Sequence, residues 1–569
     1  MTEKILTAGA IITMVETSPR VTAIAIKDDR IVAVGSLAEC RAALPGAEHI
    51  DTGAAVLMPG FIEPHGHPLL GGVVTQSPAH SIAPWDAPTW DDVLAVFQSA
   101  ADTTTPGIPL VFNGFDALLH GRPAPFADEL DDIFGDRVVV IFNNSGHAAY
   151  FTTALMKLRG WDATPPENPV GGTFGRRANG ALDGTAYEVP ATTEVIAPVL
   201  QQLGGNVLAS AAEYYALMAR AGITSTSDMT FSLDLQSGYE ALAALPSCPL
   251  RLSMWQVSSI EGFAEPVSFV ADDALIHKAG VKLWTDGSPW IGNIAVSFPY
   301  LDTDATKRAG IDPATAGRSM NYGRPEVDAV LDACASRGWQ MAFHANGDDA
   351  IDFALDAYER ALAEHGLLGT DHRWRLEHVG AGRRDQFERA ASLGVHVSMA
   401  PFQFYYWGDL LDGEMFDSEH GARWQAFQDA VSSGTCVSLH NDGSVSPPTP
   451  ILNVQTAVTR ATSSGKIHAP EQAITLDQAL RAHTIDAARS LHRDSLVGSI
   501  APGKLADLVE LTADPYEVEP TQLNDKIKVL GTWLGGARIT LDDFVGAATG
   551  HDPAQHAHLA GHARRQHCC

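Results

Sequence analysis

Residues 56–67 read VLMPGFIEPHGH: an apolar run, a Pro-Gly turn, a second apolar run and then His65 and His67. Four more segments have the same construction. They are GVKLWTDGS at 280–288 with Lys282, MAFHANGD at 341–348 with His344, RLEHVG at 375–380 with His378, and VSLHNDGS at 437–444 with Asp442. Each run of large or β-branched apolar residues breaks into Gly, Asn or Asp beside a metal-seeking side chain. A buried strand entering an active-site loop reads this way. Chemistry at the C-terminal ends of successive strands is the arrangement of a (β/α)8 barrel.

Working outward, the pattern predicts strand 1 over 56–67 and strand 2 in GITSTSDM at 222–229. Strand 3 is LRLSMWQV at 250–257, strand 4 lies at 280–287, and strands 5 to 8 are WQMAFHANG, RWRLEHVG, GVHVSMAP and CVSLHNDG. Helical stretches such as EVDAVLDACASRG and DDAIDFALDAYERALAEHG separate them, as a parallel sheet requires. The fold class is therefore α/β, a TIM-like barrel over residues 61–495. About 150 residues separate strands 1 and 2, far more than a βα connection needs. With strand-like LVFNGFDAL and VVVIFNNSGHAAYF, they predict an inserted subdomain over about residues 70–205. The Gly-rich piece 171–184 lacks the strand–loop–helix context of a dinucleotide site and reads as a loop. Residues 1–60 alternate strands and turns, with a hairpin signal at DDR. Residues 496–545 look similar, so both chain ends are expected to build one small β-sandwich. Residues 546–569 are polar and His-rich, the composition of a disordered tail.

The chain has 569 residues, 45% hydrophobic and 19% charged, which suits a globular protein with a large core. Length alone suggests about four domains, but one barrel with insertions absorbs most of that. Thirty-eight Lys+Arg against 68 Asp+Glu give a net charge of −30, which argues against nucleic acid and anionic membrane as partners. The acids are dispersed, so solubility is the simplest reading of that charge. There is no membrane-length apolar run and no signal-peptide pattern at the N-terminus. Four scattered cysteines (Cys40, Cys248, Cys334 and Cys436) suit reduced thiols in a cytoplasm. A small molecule is the expected partner, and a homodimer the first expectation for assembly.

His65 and His67 are two apart, so on a strand both point to one face and can grip one ion. His344 and His378 each close an apolar run. Taken singly, each is a core or capping histidine; four at barrel strand ends are hard to explain as packing. Neutral imidazole suits Zn, Co, Ni or Fe. Asp442 is either a plain Asp-Gly turn or a carboxylate that binds metal and takes a proton. Lys282 inside an apolar strand is costly as a bare ammonium. It either pairs with an acid such as Asp286 or, held neutral, takes up carbon dioxide to form a carbamate that bridges two ions. His147 in SGHAAY is either structural or a donor to a substrate oxygen. Tyr405 and Trp407, in PFQFYYWGDLL, which reads as the loop after strand 7, are either core aromatics or walls of the substrate pocket.

The segments PGFIEPHGHP, SGHAAY, GVKLWTDGS, FHANGD, RLEHV, HNDGSVSPPTP and GSIAPGKLADLVEL together resemble the amidohydrolase superfamily. The resemblance covers about residues 1–545 and points to the family-3 branch of N-substituted formamide deformylase-like enzymes. It implies His65 and His67 on a first ion, His344 and His378 on a second, Lys282 as the carbamate bridge and Asp442 near the first ion. It implies two divalent ions, zinc first among them. The reaction it implies is attack of a metal-bridging hydroxide on an amide-like C–N bond, with Asp442 moving the proton. The segment PWIGNIAVSF at 289–298 departs from many relatives, which leaves the substrate open. Ester, lactone, carbamate, urea and organophosphate hydrolysis suit the same site. A single-metal deaminase and a non-catalytic metal scaffold are further alternatives.

Overall fold

The computed structural model describes residues 2–169 and 172–550; the His/Cys-rich stretch from His551 on lies outside the described residues. Eight parallel strands form the barrel: β1 (Phe61–Glu63), β2 (Ile223–Phe231), β3 (Arg251–Val257), β4 (Ile276–Trp284), β5 (Gln340–Ala345), β6 (Arg375–His378), β7 (His396–Met399) and β8 (Val437–Leu439). Each is hydrogen-bonded to the next in chain order. Every residue of β2 and β5 is buried, as befits a parallel sheet with both faces covered. The helix Asp348–Glu364 shows how the cover is made. Its stripe Ile351, Ala354, Leu355, Tyr358, Ala361 and Leu362 is buried, the three-and-four spacing of a helix laid on a core. Asp348 and Asp349 sit in its first turn, where negative charge complements the helix dipole.

The predicted strand 1 is two strands. Val56–Pro59 pairs with Glu3–Ile12 and with Leu508–Leu511 outside the barrel, and only Phe61–Glu63 enters it. Gly60 is the crossing point. A Cβ there would lie 2.1 Å from Thr224 Oγ1, so only glycine fits.

Strands from both chain ends share one eight-stranded sheet. A two-residue turn at Asp28–Asp29 joins Arg20–Lys27 to Arg30–Gly35. The sheet curls over: the Ile31 amide donates to Lys504 O and the Gly503 amide to Ile31 O, both at 2.8 Å. Leu6, Ile24, Leu57, Leu508 and Trp533 fill the space enclosed, while Val56, Met58, Val509 and Leu511 face the barrel core.

The insertion holds a six-stranded sheet. The 171–184 piece, predicted as a loop, forms most of a hairpin there, Thr173–Arg176 against Leu182–Tyr187. The predicted strand-7 loop is a helix, Pro401–Leu411. The chain also stays ordered beyond residue 545, where the tail was predicted to begin. The helix Leu541–Thr549 docks on the helix Val207–Arg220 through buried Phe544 and Ala548, and Asn206 Nδ2 donates to Ala548 O. No described helix is long and apolar enough to cross a membrane.

Candidate metal centre

The six predicted ligands converge at one end of the barrel. β1 stops at Glu63, before Pro64, which has no amide to donate. His65 and His67 therefore sit on the turn entering the helix Pro68–Thr75, not on the strand. They still converge: Asp442 Oδ1 lies 3.5 Å from His65 Nε2 and 3.3 Å from His67 Nε2. Asp442 Oδ2 lies 3.8 Å from His378 Nδ1. Lys282 Nζ is 3.5 Å from His65 Nε2. The rings of His344 and His378 are 4.4 Å apart, and those of His65 and His378 are 4.6 Å apart. All six side chains are buried.

Two groups of three among the described residues have ligand atoms within 4.8 Å of one another: His65, His67 and Asp442, and His65, His378 and His440. Burial holds His65 and His344 well below the ordinary histidine range, and the charge of Lys282 adds to this. For His378, burial is joined by the neighbouring His344 and His440. Burial thus favours neutral imidazole at His65, His344 and His378, the form that ligates metal. Burial alone would raise Asp442, but the hydrogen bond and charge of His67 outweigh it and hold the carboxyl below its usual value. His344 Nδ1 and His378 Nε2 are buried and accept or donate no hydrogen bond. Buried polar atoms rarely go unsatisfied. Neutral imidazoles, a carboxylate and two bare ring nitrogens are a donor set that fits divalent transition ions.

Charged and hydroxyl groups hold this set from behind. Glu377 Oε2 accepts from His65 Nδ1 at 2.6 Å. Arg375 clamps the same carboxylate, with Nε on Oε1 at 2.7 Å and Nη2 on Oε2 at 2.8 Å. Thr230 Oγ1 lies 3.2 Å from His67 Nδ1. Glu63 accepts from the amides of Asn441 and Asp442. His378 and Asp442 have φ of +72° and +54°, left-handed conformations that cost a side-chain-bearing residue and gather at functional sites.

Asp286, the alternative partner of Lys282, spends its oxygens elsewhere. It accepts from the amides of Asn346 at 2.9 Å, Gly347 at 2.8 Å and Ala295 at 3.3 Å, anchoring the loop after β5. Burial still pushes it up to about 7.

His147 belongs to the insertion, yet its ring lies 5.9 Å from that of His344. Its Nδ1 meets Glu188 Oε2 at 2.8 Å, and its buried Nε2 has no partner. Trp407 is fully buried and stacks on Trp290 at 4.3 Å, while its Nε1 donates to Asp116 Oδ2. The insertion, the 289–298 segment and the helix after β7 thus meet in one apolar cluster. Tyr405 is half-buried against Tyr406 on the same helix.

Sequence reasoning missed His440, Glu63, Glu377 and Glu188. His440 stacks on His65 at 4.8 Å, and its Nε2 lies 3.2 Å from His378 Nδ1. Its position at the end of an apolar run was the same signal that marked His344. Glu63 and Glu377 are acids inside apolar runs, and such acids are almost never buried without a partner. Glu188 carried no comparable signal.

Imidazoles and a carboxylate gathered at the strand ends of an eight-stranded parallel barrel form a site that could hold a metal ion. The chain belongs to the amidohydrolase family, whose model matches residues 48–540. It is 26% identical over 540 residues to the N-substituted formamide deformylase of Arthrobacter pascens, covering 90% of this chain and 94% of that protein. It is 25% identical over 555 residues to the protein LONG AFTER FAR-RED 3 of Arabidopsis thaliana, covering 94% of this chain and 91% of that protein. Among solved structures, an uncharacterized metal-dependent hydrolase from Pyrococcus horikoshii aligns with a TM-score of 0.69 at 22% identity, over 91% of this chain and 99% of that one. The family and the barrel predicted from the sequence are both borne out.

Proposed function

We propose that this enzyme hydrolyses the C–N bond of an N-substituted formamide or another N-acyl amine with an apolar group on one side. The observation that carries the reading is Asp442, a buried carboxylate held below its usual range and within 4 Å of His65, His67 and His378. Two divalent ions, zinc first by donor chemistry, would be held by His65, His67, His344, His378, Asp442 and a carbamate on Lys282. When bound, they supply Lewis acidity and bring the pKa of water down to about 7.

The remaining work falls to side chains. Asp442 accepts the proton of the attacking water as the new C–O bond forms. It returns that proton to the nitrogen as the C–N bond breaks, because an amide anion is too poor a leaving group. The water's oxygen and one hydrogen end on the acyl carbon, and its other hydrogen ends on the amine. In this reading His147 donates from Nε2 to the carbonyl oxygen, which is supported by its ring lying 5.9 Å from that of His344. With Nδ1 facing Glu188 it does so only when the ring carries both protons. As a carbamate Lys282 would be an anion rather than a cation, and burial alone would then keep the imidazoles beside it neutral.

A neutral substrate is supported by where the two cations of the Gly-rich segment go. Arg177 forms two bonds to Asp128, at 2.7 and 2.8 Å, and Arg176 donates to Pro166 O and Gly180 O. Neither reaches for a substrate anion. An aromatic group is supported by the cluster of Trp290, Phe402 and Trp407, with Trp85 and Tyr406 at its edge. Free Cys40, Cys248, Cys334 and Cys436 support a reducing, cytoplasmic setting.

The test compares kcat/KM for N-benzylformamide and N-methylformamide on the metal-loaded enzyme. Burying the ring contributes about 1.5–3 kcal/mol, so the benzyl compound should win by about tenfold or more. Preference for the methyl compound, or for a dianionic substrate, would overturn the pocket reading.

A further inference from the structure

Glu63 is the last residue of β1 and is buried. Its Oε1 accepts from the Asn441 amide at 2.8 Å and the Asp442 amide at 3.4 Å, and its Oε2 accepts from Asn441 Nδ2. These bonds fall at the seam of the barrel. Seven strand pairings run from β1 to β8 in order, and among the described residues no ladder joins β8 back to β1. The Glu63 side chain therefore ties the last strand to the first at the level of the metal centre, beside the His67 amide, which donates to Gly443 O at 2.9 Å.

The tie continues into the loop. Asn441 Oδ1 accepts from the Thr449 amide and from Asn453 Nδ2, both at 2.9 Å. The Asn441 carbonyl accepts from Ser446 Oγ. With Glu63 in place, every polar atom of Asn441 is engaged, so Asn441 is a fixed post. Asp442 follows it at φ +54°, a left-handed conformation that costs most residues with a Cβ and that Asp adopts more readily than most. The result is an Asp442 carboxylate aimed at His65 and His67, two histidines reached within four residues of Glu63 along the same chain.

We propose that Glu63 is a positioning residue for the proton transfer. It fixes Asp442 against His65 and His67, on the turn after the first strand, by holding the Asn441–Asp442 backbone across the barrel seam. The proposal rests on the reading of Asp442 as the proton shuttle. Its alternative is that Glu63 merely closes the sheet.

A double-mutant cycle separates the two. Glu63→Gln keeps size and shape but trades one acceptor oxygen for an NH2, so at least one donor of Asn441–Asp442 loses its acceptor. Misplacing a reacting group by about 1 Å can cost up to about a hundredfold. Glu63→Gln should therefore lower kcat by about ten- to a hundredfold, leaving KM and bound metal near the parent values. In an Asp442→Asn background the same change should lower kcat by less than about twofold, since the group it positions is already gone. Glu63→Asp keeps both acceptor oxygens on a shorter arm and should give a kcat between parent and Glu63→Gln. If Glu63→Gln does not fold, Glu63→Asp takes its place in the cycle. Persistence of the full factor in the Asp442→Asn background would overturn the proposal, as would a loss traced to departed metal. If Asp442→Asn alone retains parent kcat, the shuttle reading fails first, and that result is read before the cycle is closed.

Discussion

Replacing Glu377 by glutamine asks whether the metal centre is held from behind. Glu377 is fully buried and carries three bonds: His65 Nδ1 at 2.6 Å, and Arg375 Nε and Nη2 at 2.7 and 2.8 Å. With Nδ1–H given to the carboxylate, His65 turns Nε2 toward Lys282 and Asp442. Glutamine keeps the volume but offers one acceptor oxygen for three donors, and its NH2 must face either the imidazole or the guanidinium. Loss of such a carboxylate–histidine contact typically lowers metal affinity by about 10- to 100-fold, or about 1.4–2.7 kcal/mol. Arg375 is then buried without its counter-charge, which costs about 3–5 kcal/mol of stability when a buried pair is broken. Chelator competition on the parent and Glu377→Gln measures the first effect, and thermal unfolding of the metal-stripped proteins measures the second. Affinity within twofold of the parent, with an unchanged Tm, would refute the claim that Glu377 sets His65.

Two further outcomes are expected. Burial holds His277 and His483 at about 4 and His396 at about 3, with Arg493 adding for His277 and Arg373 and Arg375 for His396. The unfolded chain binds these protons first, near the ordinary 6.5, so the stability involved is present above that pH and is lost as pH falls toward 4. For fully buried His483 the loss is about 3 kcal/mol by pH 4; a Tm of the metal-free protein that is level or rising from pH 6.5 to 5 would contradict this. His147→Ala should lower kcat by about a hundredfold with bound metal unchanged, as loss of an oxyanion donor does. A near-parent kcat would return His147 to a structural role.

The barrel was legible because most of its strands are apolar runs that break at the mouth; β2, ITSTSDMTF, is the polar exception. Its failures have physical causes. Gly60 divides strand 1 because Thr224 approaches it, a contact about 160 residues away that no local pattern reports. PFQFYYWGDLL is a helix buried on most sides by Trp290, Thr462 and their neighbours, so no polar face marks its period. The 173–187 hairpin carried its signal in Asn179–Gly180, a favoured turn pair, but the surrounding glycines obscured the strands. At the candidate centre, the six side chains that converge were legible and their supports were not. Glu63 reads as an acid in an apolar strand, while the Asn441 it serves lies 378 residues on. Glu377 is in the same position toward His65, 312 residues before it.

The proposed two-ion centre, with Lys282 carrying the bridging carbamate, is open to elemental analysis of the enzyme loaded with zinc in bicarbonate, beside the same measurement on Lys282→Ala. About two ions per parent chain are expected, and at most one in the variant with turnover lost. A parent that saturates at one ion with full turnover, or a Lys282→Ala variant that keeps both ions and its activity, would contradict it.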